Sequence, residues 1–480
     1  MNPAHSRSYD LLWLSLGLLF LLPIALFLSI TPHDYWFYVR IGRDILESGA
    51  VPRADTFSFT YPGRPIFYQP WLSAVIFWLA HSSGGATLTF LLKGVSVALA
   101  YGVIWTLMRR MGTSPWLATV LLILLGLSSS MNWSMRPQLL AYPLFALTLW
   151  ALWSWHGGKE KRMWIVPLAV LLWVNIHGSF ILAFVLMGSA LVFGAGDRKK
   201  LGLWLFVCVL ATLVNPRGFS VWQFIPDMLT SPSDQLFATE WRPPVNAGWQ
   251  MNIFFGWLLL FIPLAAFSPR RLSTLEWIWF LGFGWLALSG LRYVIWFLFI
   301  MAVLSGGLLT EILRSMRPAK ALQATNPAFN YILSGLILVL PLMMLPGLRE
   351  SWWADAPTPY HEATTPAAAA EWLSAHPDLA GPLFAEYTFG SYLTYALPSR
   401  PLWIDNRFNA YPPEHWEKYQ TISSARYPWE RLLEEDKVNL LMLSLSSQKI
   451  LVEAVEESGG WCEEYRDMTA VLFSRCERIP

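Results

Sequence analysis

Leu11 to Ile30 is a run of about twenty residues without a charge, and comparable runs recur as far as about residue 346. Such a run matches a hydrocarbon core about 30 Å thick, and inside lipid a helix is the structure that satisfies its own backbone. The further candidates lie near 86–108, 113–130, 138–155, 163–196, 201–215, 250–267, 275–290, 293–313 and 328–346. Composition agrees, with 55% hydrophobic and only 14% charged residues. The first run follows a short segment with one arginine, Arg7, and ends without a small-residue cleavage site, so it reads as an uncleaved anchor.

Basic residues orient the spans. Arg109 with Arg110, Lys159 to Arg162, Arg198 to Lys200, Arg270 with Arg271, and Arg314 to Lys320 fall on one side if 163–196 is a hairpin. That side is the cytoplasm. The expected topology is about eleven spans with the N-terminus inside and everything after about Pro346 outside. The net charge of +2 gives no reason to expect a nucleic-acid partner.

Arginines on the outer side break this pattern and need another explanation. Arg136 in "MNWSMRPQ", Arg217 in "LVNPRGFS", Arg242 beside Glu240 in "TEWRPP" and Arg292 in "LSGLRYV" all sit next to spans. Each could anchor at the interface or pair with a carboxylate; together they suggest an anionic ligand at the outer face. In the hairpin, Met163 to Val174 makes about 18 Å of helix, short of a bilayer core. Its turn, "VNIHGS", would then hold Asn175 and His177 below the surface, where polar groups are functional candidates.

The outer stretch "TPHDYWFYVRIGRDILESGAVPRADTFSFT" begins at Thr31. Tyr35, Val39, Gly42 and Leu46 recur at helical spacing, with Arg40, Arg43, Asp44 and Glu47 opposite, so the pattern predicts an amphipathic helix lying on the membrane. Arg40 with Asp44 and Arg43 with Glu47 are i,i+4 pairs of a solvated face. Asp34 has no such partner and is either a helix cap or a reactive group; Asp55, in "ADTFS", is either an Asx turn or a second reactive carboxylate. A second surface segment runs from Trp71 to His81.

After about Ser351 the apolar runs shorten to strand length. "PLFAEY", "PLWID", "VNLLMLSL", "WCEEY" and "AVLFSR" read as strands, with helices "FGSYLTYAL", "PEHWEKYQTISS", "PWERLLEED" and "SQKILVEAVEE" between them, a small α/β sandwich. "IDNRFNAYP" places Asp405, Arg407 and Tyr411 at the end of a strand, as an internal Asp–Arg pair or a ligand site. Cys462 and Cys476 flank two short strands and could bridge in an oxidising compartment. The expected architecture is thus an α-helical polytopic membrane module over 1–346, with a first outer loop at 31–85 holding two surface helices, and a soluble extracytoplasmic α/β domain over 351–480.

Over nearly its whole length the chain resembles the C superfamily of glycosyltransferases (GT-C), polytopic enzymes that use lipid-phosphate-linked sugars. The resemblance rests on Asp34 with Trp36 after the first span, Gly49 to Thr60, Asn175 to Gly178, Asn215 to Gly218, and Ile404 to Pro412. It implies a glycosyltransferase of the plasma (inner) membrane that moves a hexosyl or pentosyl group from a polyprenyl-phosphate sugar donor, among membrane lipids, to an envelope glycan, lipid or protein acceptor on the outer face. It implies inversion, with Asp34 as base and Asp55 as a second acceptor-orienting or metal-binding carboxylate. Arg136 and Arg292 would clamp phosphate, Asn175 and His177 orient the donor, and Trp36, Arg217 and Glu240 complete the substrate-binding set. No Asp-x-Asp follows the first span. The metal therefore stays open, with Asp34 and Asp55 as candidate ligands for a divalent cation such as Mg or Mn. A lipid-linked-sugar flippase and a non-catalytic scaffold are the alternatives.

Overall fold

The computed structural model describes residues 3–316, 326–353, 355, 360 and 362–476. The chain divides into two compact units, one of Met1–Leu28, Gly84–Trp222 and Thr239–Ala356, the other of Ser29–Ser83, Gln223–Ala238 and Pro357–Pro480.

The first unit is helical. Six helices among the described residues are long and apolar enough to cross a membrane: Arg7–Phe27, Trp71–Arg110, Pro115–Asn132, Gly248–Phe267, Leu291–Met316 and Pro327–Met344. The other expected spans are helices too, Pro137–His156, Ile165–Ile176, Ile181–Phe193, Arg198–Ala211 and Thr274–Ser289, but they are shorter or less apolar. Leu291–Met316 is buried along most of its length, and its Trp296 and Phe299 pack against Tyr142 and Phe145. Gly248–Phe267 and Pro327–Met344 instead expose Leu259, Leu260, Ile262, Ile332 and Leu336. Large aliphatic side chains in such rows suit lipid contact.

Trp71–Arg110 has 40 residues, about 60 Å if straight and so twice a bilayer core. It is two helices. Gly84 and Gly85 leave helical geometry, and Gly85, at φ 55° and ψ −139°, takes a conformation that a side chain would forbid. The break falls between the surface segment and the span expected at 86–108. Within that span Lys93 is buried, and its Nζ donates to the Leu28 carbonyl at 3.1 Å, beyond the C-terminus of the first helix. A donor there satisfies a carbonyl left without a partner past the helix end.

The 163–196 stretch folds back on itself, as its length suggested. Lys200 Nζ meets Glu160 Oε2 at 2.7 Å, and Trp155 Nε1 donates to the Asp197 carbonyl at 3.3 Å, so both ends return to the C-terminal end of Pro137–His156. The basic clusters gather at the same end. Arg110 and Arg162 lie over the Trp150 ring at 4.4 and 4.6 Å, Arg314 Nη2 reaches the Gly112 carbonyl at 3.5 Å, and Arg270 pairs with Glu276, which also accepts from Trp153. Arg317 and Lys320, from the last cluster, lie outside the described residues.

The second unit is built on a four-stranded sheet, β1 (Leu383–Ala385), β2 (Leu440–Ser444), β3 (Trp461–Arg466) and β4 (Ala470–Arg475), in the order β1-β2-β4-β3. β1 and β2 are parallel; the β2–β4 and β3–β4 pairs are antiparallel. Helices Gly390–Ala396, Pro413–Ser423, Trp429–Glu435 and Lys449–Ser458 form where the pattern predicts them. Cys462 and Cys476 are bridged, with Cα atoms 5.1 Å apart.

Two expectations are corrected here. "PLWID" is not a strand: Leu402 makes only isolated bridges, to Leu383 and to Ser58. Leu402 N donates to the Phe57 carbonyl and Phe59 N to the Leu402 carbonyl, so Leu402 is bridged to the "DTFSFT" segment as well as to β1. The helix Tyr35–Ser48 forms, with Arg40–Asp44 at 2.9 Å, but most of its apolar face is covered by protein. Gly42 packs against Ala74 and Trp78, and Ile41 and Ile45 cluster with Phe57, Tyr68 and Ala74, so the segment from Trp71 and the 57–68 loop cover it, while helix Gly390–Ala396 meets Phe37 N through Ser391 Oγ at 3.0 Å and Arg40 Nη1 through the Thr394 carbonyl at 3.1 Å. An amphipathic pattern marks a buried face without saying what buries it.

Candidate functional site

Within the second unit, the loop Asp405–Arg407 receives both aspartates of the first outer stretch. Arg407 is buried and centres a charge cluster. Its Nη1 lies 2.7 Å from Asp55 Oδ1 and 2.9 Å from Tyr68 Oη, and its Nη2 lies 2.6 Å from Asp405 Oδ2. Tyr411 Oη donates to the same Asp405 oxygen at 3.0 Å. Asp55 also accepts from Phe57 N and Ser58 N, so the Asx turn is present and both its oxygens are engaged. Burial would lower the Arg407 pKa, but Asp405 outweighs it and the guanidinium stays charged; burial pushes Tyr68 up to about 12. Gly390 permits the loop's path, since a Cβ there would lie 2.6 Å from the Asp405 backbone.

Asp34 is treated differently. It occupies the position before Tyr35–Ser48 but makes no side-chain cap, which removes the capping alternative. Its φ of 68° and ψ of −67°, with Tyr35 N donating to the His33 carbonyl at 3.0 Å, define a γ-turn of the rare, strained hand. Strain of this kind costs on the order of 1–3 kcal/mol and tends to sit at functional sites. The Asp34 carboxylate accepts from Asn406 Nδ2 at 3.0 Å, so the next residue along from Asp405 holds it. Trp36 lies buried against Tyr35, His81, Tyr360, Tyr392 and Tyr395.

Within the first unit, a second cluster forms at the end of Pro137–His156 opposite the basic clusters. Arg136, just before that helix, pairs with Glu240, whose Oε1 is also 3.5 Å from Arg292 Nη1. Gln138 Nε2 donates to the Arg292 carbonyl at 3.1 Å, and the Arg292 guanidinium lies 4.5 Å from the Trp241 ring centre. Burial would raise the Glu240 pKa, but Arg136 and Arg292 outweigh it and hold it down at about 2. Two guanidiniums thus meet one carboxylate. Such an arrangement can accept an anion without first losing all its internal compensation.

His177, between the two arms of the hairpin, lies within electrostatic reach of all three groups. Its Nδ1 takes Ser179 N at 3.1 Å, while Asn175 Nδ2 donates to the Leu171 and Val214 carbonyls, both at 2.9 Å. Arg217 sits in the Asn215 turn, its N donating to Asn215 Oδ1 at 2.8 Å. The structure therefore brings Arg136, Glu240 and Arg292 together, and ties Asp34 and Asp55 to one loop. Asn406 and Tyr68 were not anticipated. Asn406 lies between Asp405 and Arg407 in "IDNRFNAYP", where the charged pair carries the signal, whereas Tyr68 has no local signal at all. Among the described residues no group of three or more His, Cys, Asp or Glu converges as a set of metal ligands.

No protein-family model and no curated protein sequence matches the chain. Solved structures do. Over 98% of its length, and 98% of the other's, it is similar to ArnT from Cupriavidus metallidurans bound to undecaprenyl phosphate, at 14% identity and a TM-score of 0.53. The Archaeoglobus fulgidus oligosaccharyltransferase matches over 98% of this chain and 75% of its own, at 12% identity and a TM-score of 0.57. The mycobacterial arabinofuranosyltransferase AftD matches over 96% of this chain but only 40% of its own, at 13% identity and a TM-score of 0.56. The likeness is one of fold: the chain has the GT-C fold and is a multi-pass membrane protein.

Proposed function

We propose that this protein is an integral membrane glycosyltransferase that moves a sugar from a polyprenyl-phosphate carrier to an acceptor hydroxyl on the extracytoplasmic side. The observation that carries the reading is the Arg136–Glu240–Arg292 cluster, two cations on one carboxylate, in a chain whose fold matches a transferase bound to undecaprenyl phosphate. In this reading the acceptor oxygen attacks the anomeric carbon with inversion while the carbon–oxygen bond to the carrier phosphate breaks. The acceptor proton passes to Asp34. Arg136 and Arg292 take up the charge that grows on the departing phosphate, a contact stronger in the transition state than before it.

Asp34 is favoured as base over Asp55 because of its surroundings. Asp55 is paired with a buried guanidinium and accepts from two backbone N–H groups, so its oxygens are already engaged. Asp34 accepts from the side-chain amide of Asn406, and a strained backbone fixes its direction. If a divalent cation takes part, Asp34 is the better candidate ligand of the two. We place the N-terminus in the cytoplasm and the sheet-bearing unit outside, from the basic clusters gathered at one end of the bundle.

The test is sugar transfer and donor affinity in nanodiscs loaded with polyprenyl-phosphate sugars. Asp34→Asn should abolish transfer and retain donor binding. Arg292→Ala should weaken donor binding and slow transfer as well. Transfer at the wild-type rate by folded Asp34→Asn would remove Asp34 as the base.

A further inference from the structure

We propose that the sheet-bearing unit holds a saccharide-binding pocket of its own, formed around Tyr61, Lys418 and Asp436 and separate from the groups assigned above to transfer. The cavity has a volume of about 460 Å³. That lies within the range of small-molecule sites, roughly 300–1,000 Å³.

Its aromatic side is built in layers. Trp403, fully buried, stacks on His415 with ring centres 3.9 Å apart, and Tyr61 meets His415 edge-on at 5.0 Å. Burial lowers His415 to about 4, so the ring is neutral near pH 7, and its Nε2 lies 3.1 Å from the Trp403 carbonyl. Phe59 and Tyr61 line the cavity and are only partly covered by the protein. Partly covered aromatic faces beside polar groups suit the C–H faces of a sugar ring.

The polar side is set in advance. Trp403 Nε1 donates to Asp436 Oδ2 at 2.7 Å, and Lys418 Nζ lies 2.7 Å from the same oxygen. Both contacts fall on Oδ2, which leaves Oδ1 of Asp436 and further Lys418 protons for a ligand. A carboxylate that only accepts and an ammonium that only donates, side by side, match neighbouring hydroxyls, each of which can do both. A strongly anionic ligand fits less well, because Glu414, Glu435 and Asp436 face Lys418 and Lys437 around the cavity. An apolar ligand would strip water from the ion pair without replacing its hydrogen bonds. A neutral saccharide avoids both costs.

The pocket and the transfer reading can fail separately, because the test is binding alone. The probes are methyl glycosides of a hexose, a pentose and an N-acetylhexosamine, with inorganic phosphate as the anionic comparison, titrated onto full-length protein in nanodiscs and followed by saturation-transfer NMR. At least one glycoside should saturate with a millimolar Kd. Tyr61→Ala and Lys418→Met should each weaken it about tenfold, corresponding to the loss of one stacked ring or one charge-assisted contact. Arg292→Ala should leave it unchanged. Melting temperatures recorded on the same samples identify folded variants, and Lys418→Met, at a partly exposed position, decides the matter if Tyr61→Ala does not fold. No glycoside binding to the wild type overturns the proposal. So does binding that survives unchanged in the folded variants, binding lost with Arg292→Ala, or phosphate binding that exceeds all three glycosides.

Discussion

Asn406 donates its side-chain amide to the Asp34 carboxylate at 3.0 Å, across 372 residues of sequence, while the next residue, Arg407, holds Asp55 at 2.7 Å. One loop thus treats the two aspartates of the first outer stretch in opposite ways, a neutral donor for the first and a buried cation for the second. The difference makes Asn406 a positioning residue, since it orients the Asp34 carboxylate without neutralising it.

Asn406→Asp replaces that donor with a second carboxylate of nearly the same shape. A like charge beside Asp34 raises its pKa, so a larger share is protonated at a given pH and unable to take a proton. The acidic limb of the kcat/KM profile should move to higher pH, with activity recovering as pH rises. An unshifted limb with uniformly lower activity would mean that Asn406 serves only the fold.

Arg407→Leu should be severely destabilising. It leaves Asp55 and Asp405 buried without their cation, and breaking such a pair typically costs about 3–5 kcal/mol. In the variant both carboxyls would have pKa values raised above their unfolded values, so the neutral forms are tolerated at low pH and the deficit grows as pH rises through the raised values. Thermal unfolding in detergent at two pH values should therefore show a larger gap from the wild type at pH 8 than at pH 5. A gap independent of pH would assign the loss to packing.

Glu240 has a folded pKa held down at about 2, so its contribution to stability is present above the unfolded carboxyl value and is lost as pH falls from there towards 2. Glu240→Gln should remove that contribution at neutral pH, on the order of 1–3 kcal/mol once solvent screening is allowed for. It should also remove an anion that competes with a ligand for Arg136 and Arg292. The variant is therefore expected to melt earlier but to bind polyprenyl phosphate more tightly, several-fold at low salt. Weaker binding of the carrier lipid would show that Glu240 orients the arginines rather than competing for them.

The Cys462–Cys476 bridge closes a loop of 14 residues at the β3–β4 hairpin. Cross-links of that length stabilise by about 3 kcal/mol in the chain-entropy treatment. Replacing both cysteines with serine should lower the midpoint of unfolding of this unit and leave donor binding intact. Peptide mapping without reductant, on protein from the cell envelope, should recover the two cysteines as one linked pair.

What the sequence determined by itself is whatever depends on neighbours along the chain. Leu11 to Ile30 and its counterparts must bury apolar surface and satisfy their own backbones, which makes them helices. Spacing of 3.6 sets Arg40 against Asp44, and the length of 163–196 makes it turn back. Tertiary structure decided which distant groups meet. The apolar face of Tyr35–Ser48 is visible in its periodicity, yet only packing shows that Ala74, Phe57 and Tyr68 cover it. Arg136 and Glu240 are 104 residues apart, and nothing local to either names the other. "PLWID" has the composition of a strand, but a strand exists only where a neighbour completes its ladder, and there the "DTFSFT" segment and β1 offer Leu402 only isolated bridges. Asp34 and Asp55 look alike in sequence because a carboxylate's chemistry is set by what faces it, and Asn406 and Arg407 come to face them only when the chain has folded.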